Sequence, residues 1–104
     1  MFTRNLTMKL KANSVPQFKN LLENEILPLL RKQPGFRDEI SFVAPERLEA
    51  LAISIWDTKE NADAYNTTGF PEVLKKMVDV IDGTPHVTTF ELANSTLHKI
   101  AAKA

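Results

Sequence analysis

Apolar residues follow two different spacings along this chain, and the switches between them divide it into elements. Leu6, Met8 and Leu10 alternate with Thr7, Lys9 and Lys11, so residues 2–11 read as a strand with one core face, and Phe2 and Arg4 fall in phase with that face. After Ser14 the spacing becomes helical. Val15, Phe18, Leu21, Leu22, Ile26, Leu29 and Leu30 form a stripe wide enough to cover a sheet. Ser14 and Gln17 have the spacing of a capping box, which predicts a helix start at this point. Pro28 interrupts the stripe by removing a backbone N–H and crowding the preceding turn. It predicts a kink, or a break that restarts with Pro28 in a first-turn position, and the continuing stripe favours the kink. Gln33-Pro34-Gly35 ends the element, because a residue before proline is pushed out of the α region and glycine suits the cap that follows.

Phe36, Ile40 and Phe42 predict a second strand, followed by the turn-like Ala44-Pro45-Glu46-Arg47. The third strand is the most informative. Leu51, Ile53 and Ile55 share one face, Ala50, Ala52, Ser54 and Trp56 share the other, and neither carries the charged residues of a wetted face. The small, apolar second face predicts a covering partner, for which the candidate is a second copy of the chain. Asp57 or Thr58 is placed to cap the next helix, and Glu60 sits in its positive first turn. Ala62 and Tyr65 lie on one side of that helix, and Asn66-Thr67-Thr68-Gly69 breaks it. Pro71 suits the first turn of a continuation carrying Val73, Leu74, Met77, Val78 and Ile81. Asp82-Gly83-Thr84-Pro85 reads as a loop. His86, Thr88, Phe90 and Leu92 alternate with Val87, Thr89 and Glu91 as a fourth strand. Residues 95–104 read as a tail, a short helix or frayed end around Leu97 and Ile100.

The order strand, helix, strand, strand, helix, strand is the split βαβ pattern of a ferredoxin-like domain. It predicts an α+β fold, βαββαβ, with a four-stranded antiparallel sheet, the first and third strands central and both helices on one face. At 104 residues the chain is one domain, residues 1–104. Thirteen basic residues balance thirteen acidic ones, which argues against nucleic acid or an anionic membrane as the main partner. The absence of Cys excludes disulfides, thiol nucleophiles and Cys-based metal sites, and favours a cytoplasmic location. The N-terminal sequence lacks the pattern of a secretory signal, and no apolar run reaches the length of a membrane span.

Three local patterns together resemble the antibiotic biosynthesis monooxygenase-like family of dimeric α+β barrels. They are Gln33-Pro34-Gly35-Phe36 between first helix and second strand, the strand ending in Trp56, and the following helix leading to Thr67-Thr68-Gly69-Phe70-Pro71. The resemblance implies a homodimer through the sheet faces, and a pocket in each subunit between its sheet and helices. It implies cofactor-independent oxygenation of a small aromatic or quinone-like molecule, with no bound cofactor and no metal. The chain departs from the family where many members carry a His, a Ser and a second His, since Tyr65, Thr68 and Phe70 stand there. A haem-degrading member would carry a His on the second helix, and the stretch Phe70-Pro71-Glu72-Val73-Leu74-Lys75-Lys76-Met77 has none.

Each candidate residue has a functional and a structural reading. Tyr65 could hydrogen-bond a ligand or be a core aromatic with its hydroxyl at the surface. His86, in phase with Phe90, could act as a base near neutral pH or stand at a loop edge in solvent. Arg4 could bind an anionic or carbonyl oxygen at the pocket mouth, or snorkel from the edge of the core. Trp56 and Phe70 would be pocket walls, with Thr68 beside them, and Trp56 alternatively anchors helix to sheet. The two histidines, His86 and His98, lack the spacing and neighbouring carboxylates of a helical metal site. No phosphate loop, nucleophile elbow or basic–aromatic run occurs. The two functions left open are a cofactor-independent oxygenase with His86 and Tyr65 as catalytic groups, and a non-catalytic small-molecule-binding or structural homodimer.

Overall fold

The computed structural model describes residues 1–96. Helical spacing around Leu97, Ile100 and His98 lies outside the described residues. The elements run β1 (Phe2–Leu10), α1 (Val15–Leu21), a π-helical turn (Leu22–Ile26), α2 (Leu27–Arg31), β2 (Phe36–Ala44), a 3-10 turn (Pro45–Arg47), β3 (Glu49–Trp56), α3 (Lys59–Thr68), α4 (Phe70–Met77) and β4 (Ile81–Glu91). The strands form one antiparallel four-stranded sheet in the order β2-β3-β1-β4, with β1 and β3 central. This is the ferredoxin-like α+β architecture that the element order predicts. Among the described residues no helix is long and apolar enough to cross a membrane.

Local chemistry accounts for most of the boundaries. Thr58 caps α3, its hydroxyl accepting from the Asn61 N–H at 3.1 Å. Ser14 precedes α1 as expected but makes no side-chain cap bond, so the Ser14/Gln17 capping box does not form. Around Pro28 the helical run is divided into α1, the π-helical turn and α2. The missing N–H is absorbed by a wider turn in which the Leu27 N–H reaches back to the Leu22 carbonyl, and Pro28 then sits in the first turn of α2.

Gly35 has φ +77°, and a Cβ there would come within 2.2 Å of the Asn61 side chain. A Gly35→Ala variant therefore combines left-handed strain with displacement of a residue whose N–H is capped by Thr58, at a cost of about 2 kcal/mol or more. Urea unfolding checks this, and a midpoint equal to that of the unaltered protein would contradict it.

Two features of the sheet correct the sequence reading. First, Ala50, Ala52, Ser54 and Trp56 do not await a second copy of the chain. Their face lies beneath the helices, with Trp56 fully buried and Ala52 and Ser54 lining a cavity against the helical layer. The uncovered face is the other one, carrying Leu51 and Ile53 of β3 with their β2 partners Phe42 and Ile40 and, on β4, Phe90, while Ile55 shares their phase but is itself buried. Phe42 and Phe90 are 54% and 58% exposed there. Second, residues 82–85 are not a loop between elements but part of β4. Pairing of Lys9 with Asp82 and of Leu10 with Ile81 brackets an irregularity before the ladder continues at Thr7 and His86.

Candidate functional site

The helix-facing side of the sheet is largely apolar, with a polar row across its middle. Phe2, Trp56 and Phe36 form a rung of aromatic rings, and Leu6, Ala52 and Ser41 form another rung further along. Between them Glu39 of β2 pairs with Ser54 of β3, Ser54 with Arg4 of β1, and Arg4 with Thr89 of β4. A carboxyl and a guanidinium thus stand two strand spacings apart, about 10 Å between Cα atoms, on the covered side of the sheet. Glu39 reaches this side because of a bulge. The ladder slips between Phe36 and Asp38, so Phe36 and Glu39 share a face, whereas Ile40 and Phe42 turn to the opposite one.

Arg4 is 5% exposed. Its Nη2 donates to Asn66 Oδ1 at 3.2 Å, and its guanidinium carbon lies 4.9 Å from the centroid of the Tyr65 ring and 4.5 Å from that of Phe70. Contacts of this kind offset part of the cost of burying a charge. Nη1 is buried without a hydrogen-bond partner among the described residues. Burial pushes the guanidinium below its ordinary pKa while nearby Tyr65 and Asp63 oppose the shift. A guanidinium starts so high that it remains a cation at neutral pH. An unpaired N–H on a buried cation is costly, and an oxyanion or carbonyl oxygen relieves the cost best.

The aromatic groups form a continuous chain. Phe36 meets Trp56 edge-on at 5.6 Å, Trp56 stacks on Tyr65 at 4.8 Å, and Tyr65 lies 6.0 Å from Phe70. Trp56 Nε1 donates to Ser54 Oγ at 2.9 Å, which holds the indole in place. Burial pushes the Tyr65 hydroxyl up to about 12, so it stays protonated and donates rather than accepts a proton. The α3–α4 junction is glycine for a steric reason. A Cβ on Gly69 would lie 2.8 Å from the Tyr65 ring.

Arg4, Glu39, Ser54, Tyr65 and Phe70 line one cavity of about 40 Å³, closed otherwise by side chains such as Leu6, Leu22, Ile26, Val73 and Met77. That volume holds water but falls short of the roughly 150 Å³ of a benzene-binding cavity, so a ring enters only if the helical layer gives way. Leu22 and Ile26 belong to the π-helical turn, an irregularity that recurs at functional sites. Burial raises the Glu39 carboxyl above the ordinary range, and the hydrogen bond donated by the Ser41 hydroxyl partly opposes this.

The structure brings some of the expected site residues together and separates others. Arg4, Tyr65 and Phe70 line the cavity, and Trp56 backs Tyr65 without lining it. Thr68 is exposed, its hydroxyl bonded to the Ala64 carbonyl at 2.9 Å, and it does not line the cavity. His86 lies on the uncovered face of the sheet, opposite Thr7, in a shallow depression with Lys9, Asp82 and Thr84. It cannot serve the cavity that holds Arg4. Alternation in β4 correctly grouped His86 with Phe90, but that shared face is the outer one. Glu39, Ser54 and Asn66 are the polar groups that the sequence reading missed. Ser54 carried a signal, as the lone hydroxyl on an otherwise apolar face. Among the described residues, no group of His, Asp and Glu side chains could hold a metal ion.

No family model and no curated protein matches the sequence. Solved structures do match in fold. A candidate antibiotic biosynthesis monooxygenase from Bordetella bronchiseptica superposes with a TM-score of 0.74 at 15% identity, over 88% of this chain and 95% of that one. SnoaB, a cofactor-independent oxygenase from Streptomyces nogalater, gives 0.71 at 14% identity, over 91% and 95%. A mutant of MhuD with two manganese protoporphyrin IX molecules bound per active site gives 0.74 at 12% identity, over 92% and 98%. The chain therefore shares the fold of structures named as antibiotic biosynthesis monooxygenases.

Proposed function

We propose that the protein holds a small planar aromatic molecule with an acidic proton, such as a phenol, a quinol or an enolisable aromatic ketone, against Arg4, and oxygenates it without a bound cofactor. The observation that carries this reading is the buried Arg4, stacked by Tyr65 and Phe70, with a hydrogen-bond donor left over beside the cavity. Its charge lowers the cost of forming an oxyanion in a site of low dielectric. An ionised aromatic is electron-rich enough to react with dioxygen. For a phenol with a free para position, the ring supplies four electrons, one oxygen atom enters as the new quinone carbonyl, and the other leaves as water. The likeness in fold to a cofactor-independent oxygenase supports this reading.

A second reading is a binding protein of the same fold without the chemistry. It is favoured by a cavity lining in which, among the described residues, no histidine stands and Glu39 alone offers a carboxylate. Oxygen uptake and quinone absorbance, measured over a panel of phenols and quinols under air, separate the two. Trp56 is the sole tryptophan and stacks on Tyr65, so its fluorescence reports occupancy. Fluorescence quenching without oxygen uptake above background supports the binder. An Arg4→Met variant is expected to weaken binding or kcat/KM by ~10- to 100-fold, the loss of a charge-assisted hydrogen bond worth about 1.5–3 kcal/mol. Equal affinity in that variant would remove Arg4 from the site.

The assembly belongs to the same reading. A second copy of the chain covers the uncovered sheet face, where Phe42, Phe90, Leu51 and Ile53 otherwise leave an apolar patch. The Asn5 side-chain oxygen, opposite Ile53 on that face, is buried without a partner among the described residues. A donor from the second copy would satisfy it.

A further inference from the structure

Glu39 lies at a boundary that no other group on the polar row occupies. On one side it lines the cavity with Arg4, Tyr65 and Ser54. On the other it lines an outer cleft with Leu27, Arg31, Phe36, Arg37 and Asp38. The carboxyl is not consumed by the cation on its own row, because the Arg4 hydrogen bond goes to Asn66 and Glu39 accepts from Ser41. A ligand placed between them meets a positive donor at one end and a carboxylate at the other.

We infer that Glu39 is the proton acceptor of this site and passes the proton to solvent through the outer cleft. The inference rests on the aromatic-ligand reading. The Glu39 carboxylate takes the acidic proton of the bound molecule, the O–H or C–H bond breaks, and its electron pair becomes an oxyanion held by Arg4. The resulting carboxylic acid then loses its proton to water on the side of Arg31, Arg37 and Asp38. The charged and titratable groups around Glu39 are Arg4 from β1, Tyr65 from α3 and Arg31 from α2, with Arg37 and Asp38 on its own strand. Arg37 is already paired with Asp57 at 2.6 Å. Tyr65 stays protonated, so Glu39 is the basic group that lines the cavity. Burial raises its pKa, which makes the carboxylate a stronger base than one in water.

The test uses 2-tetralone, whose removable C–H lies beside a ketone and an aromatic ring, under argon so that no oxidation intervenes. In deuterated buffer the protein is expected to exchange that hydrogen for deuterium, followed by NMR, at a rate rising with pH through the raised Glu39 range. Glu39→Gln should slow the exchange by ~10²-fold or more while leaving affinity within about threefold. Glu39→Asp should restore part of the rate, because the carboxylate is present but set back. Stability gives an independent readout. A carboxyl whose pKa is raised by folding favours the folded state below its ordinary range, and this contribution is lost as pH rises through the folded value. Glu39→Gln should therefore raise Tm at neutral pH, with the difference vanishing near pH ~4. Binding of 2-tetralone with wild-type exchange in Glu39→Gln, or with no exchange in the unaltered protein, would overturn the assignment of Glu39 and leave the binding reading standing. No binding at all would overturn both.

Discussion

Replacement of Trp56 with alanine should cost about 3–5 kcal/mol, enough to unfold a substantial fraction of a protein whose total stability is typically 5–15 kcal/mol. Trp56 is fully buried at the end of β3. It contacts Phe36 edge-on, stacks on Tyr65 and donates to Ser54, so its loss opens a void that reaches both helical layer and sheet. The consequence for the site follows directly. Tyr65 loses the surface that holds its ring over Arg4, and the cavity loses its shape along with the core. Urea unfolding followed by circular dichroism measures the effect, since the variant has no tryptophan. A Trp56→Phe variant keeps much of the volume and removes the Nε1–H donor, so its cost should be nearer 1–2 kcal/mol, about that of one buried hydrogen bond with some packing loss. A loss under about 1 kcal/mol in Trp56→Ala would mean that the site can collapse around the gap, contrary to the packing described.

Ile53→Glu should separate the proposed dimer into monomers at micromolar concentration. Ile53 sits in the middle of the uncovered face, paired with Ile40 on one side and Asn5 on the other. A carboxylate buried there without a partner costs about 3 kcal/mol or more, and a two-fold interface presents the same change twice. The folded monomer should survive, because in a single chain Ile53 is only partly buried. Light scattering on the unaltered protein gives the reference, which should be a dimer with a total interface on the order of 1,200 Å² or more. A monomer in that reference measurement, or a dimer undisturbed by Ile53→Glu, would show that the copies do not meet through this face. Ala52→Glu should behave differently, since Ala52 lines the internal cavity. It should damage ligand binding and folding rather than assembly alone.

Sequence alone determined the elements and their order, because those signals are local. Thr58 caps α3 through its own backbone neighbourhood, Gly35 takes a left-handed conformation in the turn that leads into β2, and Pro28 sits in the first turn of α2 just after the π-helical turn. The alternation in β3 also correctly sorted its residues into two faces. It could not say which face the helices would cover, because both are apolar and the choice depends on chain crossover and on contacts far apart in sequence. Tertiary structure alone decided that Ala50, Ala52, Ser54 and Trp56 face the helices and that Leu51, Ile53 and Ile55 take the opposite side of the sheet, where Ile55 is nonetheless buried. The same limit displaced His86. Its phase in β4 was legible, but the side of the sheet to which that phase belongs was not. Glu39 was hidden for a sharper reason. Strict alternation from Phe36 sends it to the opposite face, and only the slipped register after Phe36 turns it towards Arg4. A bulge depends on pairing with a neighbouring strand, so the residue that completes the polar row exists as a site group only in the folded sheet.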